Sequence, residues 1–136
     1  MTQTHPVLSA LETVSAALKD LAGVDPTFMS VADQKAALVR LAGVQAQLEE
    51  LELRVLVAAD DVALDEGCRD QAAWLAHHTR IDGGAARARL RMARALDGRF
   101  SRVRTAMDEG VVNTAQATAL VRSLTDLGPA LTKLLG

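Results

Sequence analysis

The sequence predicts an all-α fold, and three observations carry that prediction. Ala and Leu dominate the apolar residues, and both are good helix formers. Alternating runs of β-branched and polar residues, the mark of half-buried strands, are missing. Apolar residues instead recur at steps of three and four, with Pro, Ser, Asp, Asn and Gly where helices start and stop. Only 2% of the 136 residues are aromatic, so the core is aliphatic, and the length suits one domain or a domain with a helical extension.

The first helix runs from Pro6 to Ala22, with Val7, Leu11, Val14, Leu18 and Leu21 on one face and Gly23 at its end. Val24 to Met29, containing Asp25-Pro26, is a connection. Ser30 caps the second helix, with Asp33 in the capping-box position. The pattern carries this helix to Leu64, about 50 Å at ~1.5 Å per residue. Leu41, Val44, Leu48, Leu51, Val55, Ala58 and Val62 form a heptad-like seam, which calls for a partner helix. The first helix folded back as a hairpin meets that need over about half the seam, and the same helix of a second subunit meets it as well. Self-association and an intramolecular bundle therefore both stand. Residues 1–66 form a helical hairpin or coiled-coil-like arm, closed by Asp65-Glu66-Gly67.

Residues 67–136 write one helix–turn–helix-like unit twice. Gln71 to Leu96 and Arg104 to Leu127 align so that Ile81 falls on Val112, Asp82 on Asn113, Ala86 on Ala117, Leu90 on Val121 and Ala93 on Leu124. Asp82 and Asn113 are strong N-cap types. The first copy reads as a helix Ala72 to His78, a turn Thr79 to Asp82 and a helix to about Leu96, broken at Asp97-Gly98. The second reads as a helix to Glu109 stopped by Gly110, then a helix from Asn113-Thr114 to near Leu127, ended by Gly128-Pro129. The tail ALTKLLG reads as the start of a further helix, as though the unit were truncated at its C-terminal end.

Cys68 is the lone cysteine, which excludes an internal disulfide and suits a reducing compartment. The N-terminus has no basic and apolar pattern of a signal peptide, and no apolar run approaches the ~20 residues that cross a bilayer. A cytoplasmic protein without a membrane partner is expected. Net charge is −2, but it is split: residues 1–66 carry eleven acids and four bases, residues 67–136 six acids and eleven bases. Such asymmetry fits a polyanion partner, or two halves that neutralise each other.

Eight arginines stand between Arg80 and Arg104 against two acids. Arg87, Arg91 and Arg94 share one helical face, and Arg99, Arg102 and Arg104 continue the run past Gly98. This face suits the phosphates of duplex DNA; the ordinary alternative is a solvated face neutralised by Asp97, Glu49, Glu50 or Glu52. Arg89 falls among Met92, Ala93 and Leu96 on the apolar side, where pairing with an acid of the long helix, or snorkelling, is expected. Base reading through the major groove needs polar side chains at the start of a recognition helix. The first unit offers only Gly83, Gly84, Ala85 and Ala86 there. Asn113, Thr114 and Gln116 of the second can reach bases, although a helix cap is the better reading of Asn113. Backbone positioning is therefore expected over base readout.

His77 and His78 point about 100° apart on a helix and cannot chelate one ion, so they read as covering a helix end. Trp74 reads as a core anchor whose indole N–H needs a partner if buried. No nucleophile–base pair or phosphate-loop motif is present, and the chain reads as non-catalytic, without cofactor, metal or small-molecule substrate.

The run DEGCRDQAAWLAHHTRIDGGAARARLRMARAL, followed by AMDEGVVNTAQA, resembles the N-terminal helical region of the 13E12 repeat family. The resemblance spans about Leu48 to Leu127. It rests on Gly67, Ala73-Trp74-Leu75-Ala76, the turn before Ala86, Ala93 with Leu96, and Ala106 to Gly110 with Gln116-Ala117. It implies a relation to actinobacterial HNH-endonuclease-like proteins, often linked to mobile elements, whose N-terminal region is classed as a domain of unknown function. Asp97-Gly98 stands where that family commonly has a proline. The nuclease part lies beyond this region, and no catalytic residue transfers: the sequence has one Asn, three scattered His and no strand pattern for an HNH site. The resemblance thus implies the non-catalytic helical half of a nuclease-like protein, or an inactive truncated copy. As a module it binds DNA, or it joins subunits through Leu41 to Val62.

Overall fold

The computed structural model describes residues 4–128 and 133–134, and among them there are seven α-helices and no strand. The fold is all-α. The helix expected in the tail lies mostly outside the described residues. The chain divides into two compact units, Met1–Ala36 and Ala37–Gly136.

In the first unit, α1 (Pro6–Asp20) begins at His5, whose ring nitrogen accepts from the Val7 N–H. A 3₁₀ turn over Pro26–Phe28 follows, capped by Asp25 through the Thr27 N–H, which holds the Asp25 carboxyl below its ordinary value. Ser30 caps α2 (Val31–Val57) by accepting from the Asp33 N–H.

The second unit carries the rest of α2 and five shorter helices: α3 (Asp60–Glu66), α4 (Gln71–Thr79), α5 (Gly83–Gly98), α6 (Ser101–Asp108) and α7 (Thr114–Asp126). The long helix does not reach Leu64; it ends at Val57. The reason is tertiary. Gln71, buried at 4% exposure, donates through Nε2 to the Leu56 carbonyl (3.3 Å) and to Asp60 Oδ1 (2.8 Å). One amide thus joins the Ala59 N–H on a carbonyl at the end of α2 and binds the first turn of α3.

The duplication holds at its key positions. Asp82 accepts from the Ala85 N–H and Asn113 from the Gln116 N–H, and the matched Ala86 and Ala117 are both fully buried. Methyl side chains at these points let the helices approach closely. α4 packs on α5, and α6 packs on both α5 and α7. One apolar cluster joins Leu53, Met92, Ala93, Leu96, Phe100, Val103, Met107 and Ala117; a second joins Leu56, Ala72, Ala86 and Leu90. Both draw on α2 and α5, so these two helices form the frame on which the others lie.

Candidate nucleic-acid interface

The face of α2 turned to this frame is Ala46, Glu50, Leu53 and Leu56, all buried. The heptad-like seam lies on the other side of the helix. Leu41, Val44 and Val55 are about half exposed, at 52%, 46% and 48%, and Leu48 and Leu51 are half-buried. Val62 is half-buried on α3, so the helix break at Ala58-Ala59 separates it from the rest of the seam.

Acids of α2 reach into the second half of the chain in a selective way. Glu52 Oε1 holds Arg89 Nη1 at 2.6 Å, the pairing expected for an arginine on the apolar side of α5. Glu49 accepts from the Thr114 hydroxyl at the start of α7. Glu50 is 1% exposed and takes Arg54 Nε at 2.8 and 3.0 Å on its two carboxylate oxygens. A charge this deeply buried stands only with a partner. Arg104 is half-buried and lines a polar cavity of about 120 Å³ with Glu50, Arg54, Thr105 and Asp108. Arg104 therefore leaves the outward basic run in which the sequence places it.

Arg87, Arg91, Arg94, Arg99 and Arg102 are all exposed, and among the described residues none of them forms an ion pair. On α5 each of the first three follows one of the buried residues Ala86, Leu90 and Ala93, about 100° round the helix from them, at helical steps of four and three. The Arg87 guanidinium folds back over the first turn, beside Gly83 and Gly84. Arg99 follows α5 with its guanidinium 5.2 Å above the Phe100 ring, and Arg102 occupies the first turn of α6. Sequence reasoning passed over Arg122. It lies on α7 and lines, with Arg91, an open groove of about 370 Å³ floored by Met92, Ala95 and Val121. Its signal was faint, since it stands 18 residues beyond the end of the arginine cluster at Arg104.

Asn113 and Gln116 close a reciprocal capping box: Asn113 Oδ1 accepts from the Gln116 N–H at 2.8 Å, and Gln116 Oε1 from the Asn113 N–H at 2.9 Å. Both side-chain oxygens thus serve the start of α7. Trp74 stands outside both apolar clusters. It is half-buried and stacks on His78 at 4.2 Å, and its buried indole N–H has no hydrogen-bond partner among the described residues. His78 Nδ1 lies 3.0 Å from the Trp74 carbonyl, covering the end of α4 as expected. Among the described residues no group of His, Cys, Asp and Glu is placed to hold a metal, and no helix is long and apolar enough to cross a membrane.

A family model described as a domain of unknown function (DUF222) matches residues 28–134, wider on both sides than the stretch that carries the resemblance. No curated protein and no solved structure matches the chain.

Proposed function

We propose a role from the premise that this chain belongs to the DUF222 family, a domain of unknown function: it is a non-catalytic helical module that holds the backbone of duplex DNA through the arginine face of α5. The carrying observation is the division of the arginines. Arg89 is paired with Glu52, whereas Arg87, Arg91 and Arg94 on the outer side of the same helix form no ion pair among the described residues. If the two halves of the chain simply cancelled each other's charge, the outer stripe would be paired too. Phosphates are the natural partner of exposed guanidinium groups, and each one neutralised adds about 0.9 to the salt slope of duplex binding. With Asn113 and Gln116 engaged in a cap, binding follows the backbone and not the base sequence. The wider setting, an HNH-endonuclease-like protein of mobile elements, is part of this proposal and rests on the resemblance alone.

A second reading is favoured by the exposed seam: Leu41, Val44 and Val55 leave an apolar stripe on α2 that suits a second copy. One experiment weighs both. Binding to a duplex oligonucleotide is measured across a salt series, with particle mass measured in parallel. The DNA reading expects affinity that falls steeply with salt and is lost when Arg87, Arg91 and Arg94 all become Glu. Unchanged affinity in that triple variant refutes it. Self-association expects a dimer at micromolar concentration that Leu48→Glu disperses, and a monomeric wild type ends that reading.

A further inference from the structure

We infer that Arg122 joins Arg91 in clamping one phosphate of the bound backbone, in the groove between α5 and α7. The inference rests on the duplex reading above and extends the contact surface from one helix to two. Arg91 and Arg122 come from different helices, line the same groove and, like the outer α5 stripe, form no ion pair among the described residues. Both are exposed. Between them the floor is apolar, made by Ala88, Met92, Ala95 and Val121.

That combination matches a sugar–phosphate chain. A deoxyribose presents an apolar edge beside each charged phosphate, so the sugar packs on Met92 and Val121 while the phosphate takes the two guanidinium groups. The hydroxyls of Thr118 and Thr125, also on the groove, donate to the Thr114 and Val121 carbonyls. They offer the ligand acceptors and no donors, which leaves the arginines to hold the anion. Asp126 stands in the same lining as a carboxylate that repels phosphate, so the anion sits away from it.

The test uses the full chain, a duplex oligonucleotide and a salt series, with Arg122→Ala, Arg91→Ala, their double variant, Arg122→Lys and, as a general charge control, Arg69→Ala. Loss of one phosphate contact removes about 0.9 from the salt slope, or about eightfold in affinity at ~0.1 M salt. Each single alanine variant leaves the other arginine on the phosphate and is expected to weaken binding with less than that loss of slope, Arg122→Lys to restore most of the affinity, and only the double variant to lose the full ~0.9, because both arginines address one phosphate. If Arg122→Ala tracks Arg69→Ala while Arg87→Ala and Arg94→Ala weaken binding, the clamp is refuted and the α5 face stands. Single variants that each lose about 0.9 of slope, with about 1.8 lost in the double, refute the shared phosphate. Wild-type protein that ignores duplex DNA, or binds a polyglutamate peptide in its place, overturns both the clamp and the reading beneath it.

Discussion

Gly110 is the position where a single methyl group should do the most damage, and the structure gives the size of the effect. Gly110 ends the α6 region with φ +74°, and a Cβ built there would meet the Gly43 carbonyl oxygen at 3.0 Å, its Cα at 3.1 Å and its carbonyl carbon at 3.3 Å. Two costs add in Gly110→Ala. A left-handed residue with a Cβ costs about 1–2 kcal/mol. Forcing backbone atoms of α2 aside from such close approach costs roughly 1–3 kcal/mol more. The total is about 2–5 kcal/mol, a large part of the ~5–15 kcal/mol that holds a typical domain together. Two other glycines separate the terms. Gly67 has φ +68° with nothing within 4 Å, so Gly67→Ala carries the conformational cost alone, about 1–2 kcal/mol. Gly43 is helical, and its Cβ would meet the Gly110 oxygen at 3.5 Å and the Gly110 Cα at 3.9 Å, both ordinary contacts. Gly43→Ala should therefore be neutral or stabilising by up to ~1 kcal/mol, through helix propensity. Urea unfolding followed by far-UV circular dichroism reads all three. If Gly110→Ala costs no more than Gly67→Ala, or if Gly43→Ala costs as much as Gly110→Ala, the close backbone approach of α2 to the α6–α7 turn is wrong.

Two further outcomes follow from the caps. Asn113→Ala removes the hydrogen bond to the Gln116 N–H and should cost about 1 kcal/mol of stability, as should Asp82→Ala at the matching position of the first unit. Duplex affinity and salt slope should stay unchanged in folded Asn113→Ala, and a selective loss for particular base sequences would restore a base contact there. Gln71→Met keeps the bulk but removes the donor that bridges Leu56 and Asp60; the Leu56 carbonyl keeps the Ala59 N–H, so the cost is that of the lost hydrogen bonds, about 0.5–1.5 kcal/mol each. Amide hydrogen exchange should then quicken selectively over the last turn of α2 and over α3; uniform exchange across the unit would refute a local role for Gln71.

What was legible in the sequence was whatever local chemistry decides. Ser30, Asp82 and Asn113 cap helices through their own side chains, and Gly67 and Gly110 end them in left-handed geometry, so their positions could be read directly. The break after Val57 could not. The stretch around Ala58-Ala59 holds no Gly or Pro, and its stop depends on an amide from Gln71 in another helix. The buried face of α2 was hidden for a related reason. Large aliphatic residues drew attention to Leu41, Val44 and Val55, whereas the packed side includes Ala46 and Glu50. A glutamate reads as solvated until its partner is known, and Arg54 is that partner. Trp74 misled in the opposite direction: its size suggested the core, but it caps one edge of the fold by stacking on His78.

The same logic of helical phase explains why charge written in the sequence differs from charge offered to a ligand. Arg89 stands two positions after Arg87 and two before Arg91, a rotation of about 200° at each step. The middle arginine thus falls under the acids of α2, and its neighbours on either side face away from them. Arg104 is half-buried and lines a cavity with Glu50, while Arg122 arrives from a distant helix to line a groove with Arg91. A count of arginines between residues 80 and 104 therefore includes one that is paired by Glu52 and one that is half-buried beside Glu50, and omits one that stands beside the candidate site. A charge-reversal experiment confined to the cluster would mix these roles. Reversing Arg89 or Arg104 should lower stability with affinity falling only as far as folding does, whereas reversing Arg87, Arg91 or Arg94 should lower affinity with stability intact. That separation is the sharpest mark by which an interface built on α5 is told from a helix that merely happens to be rich in arginine.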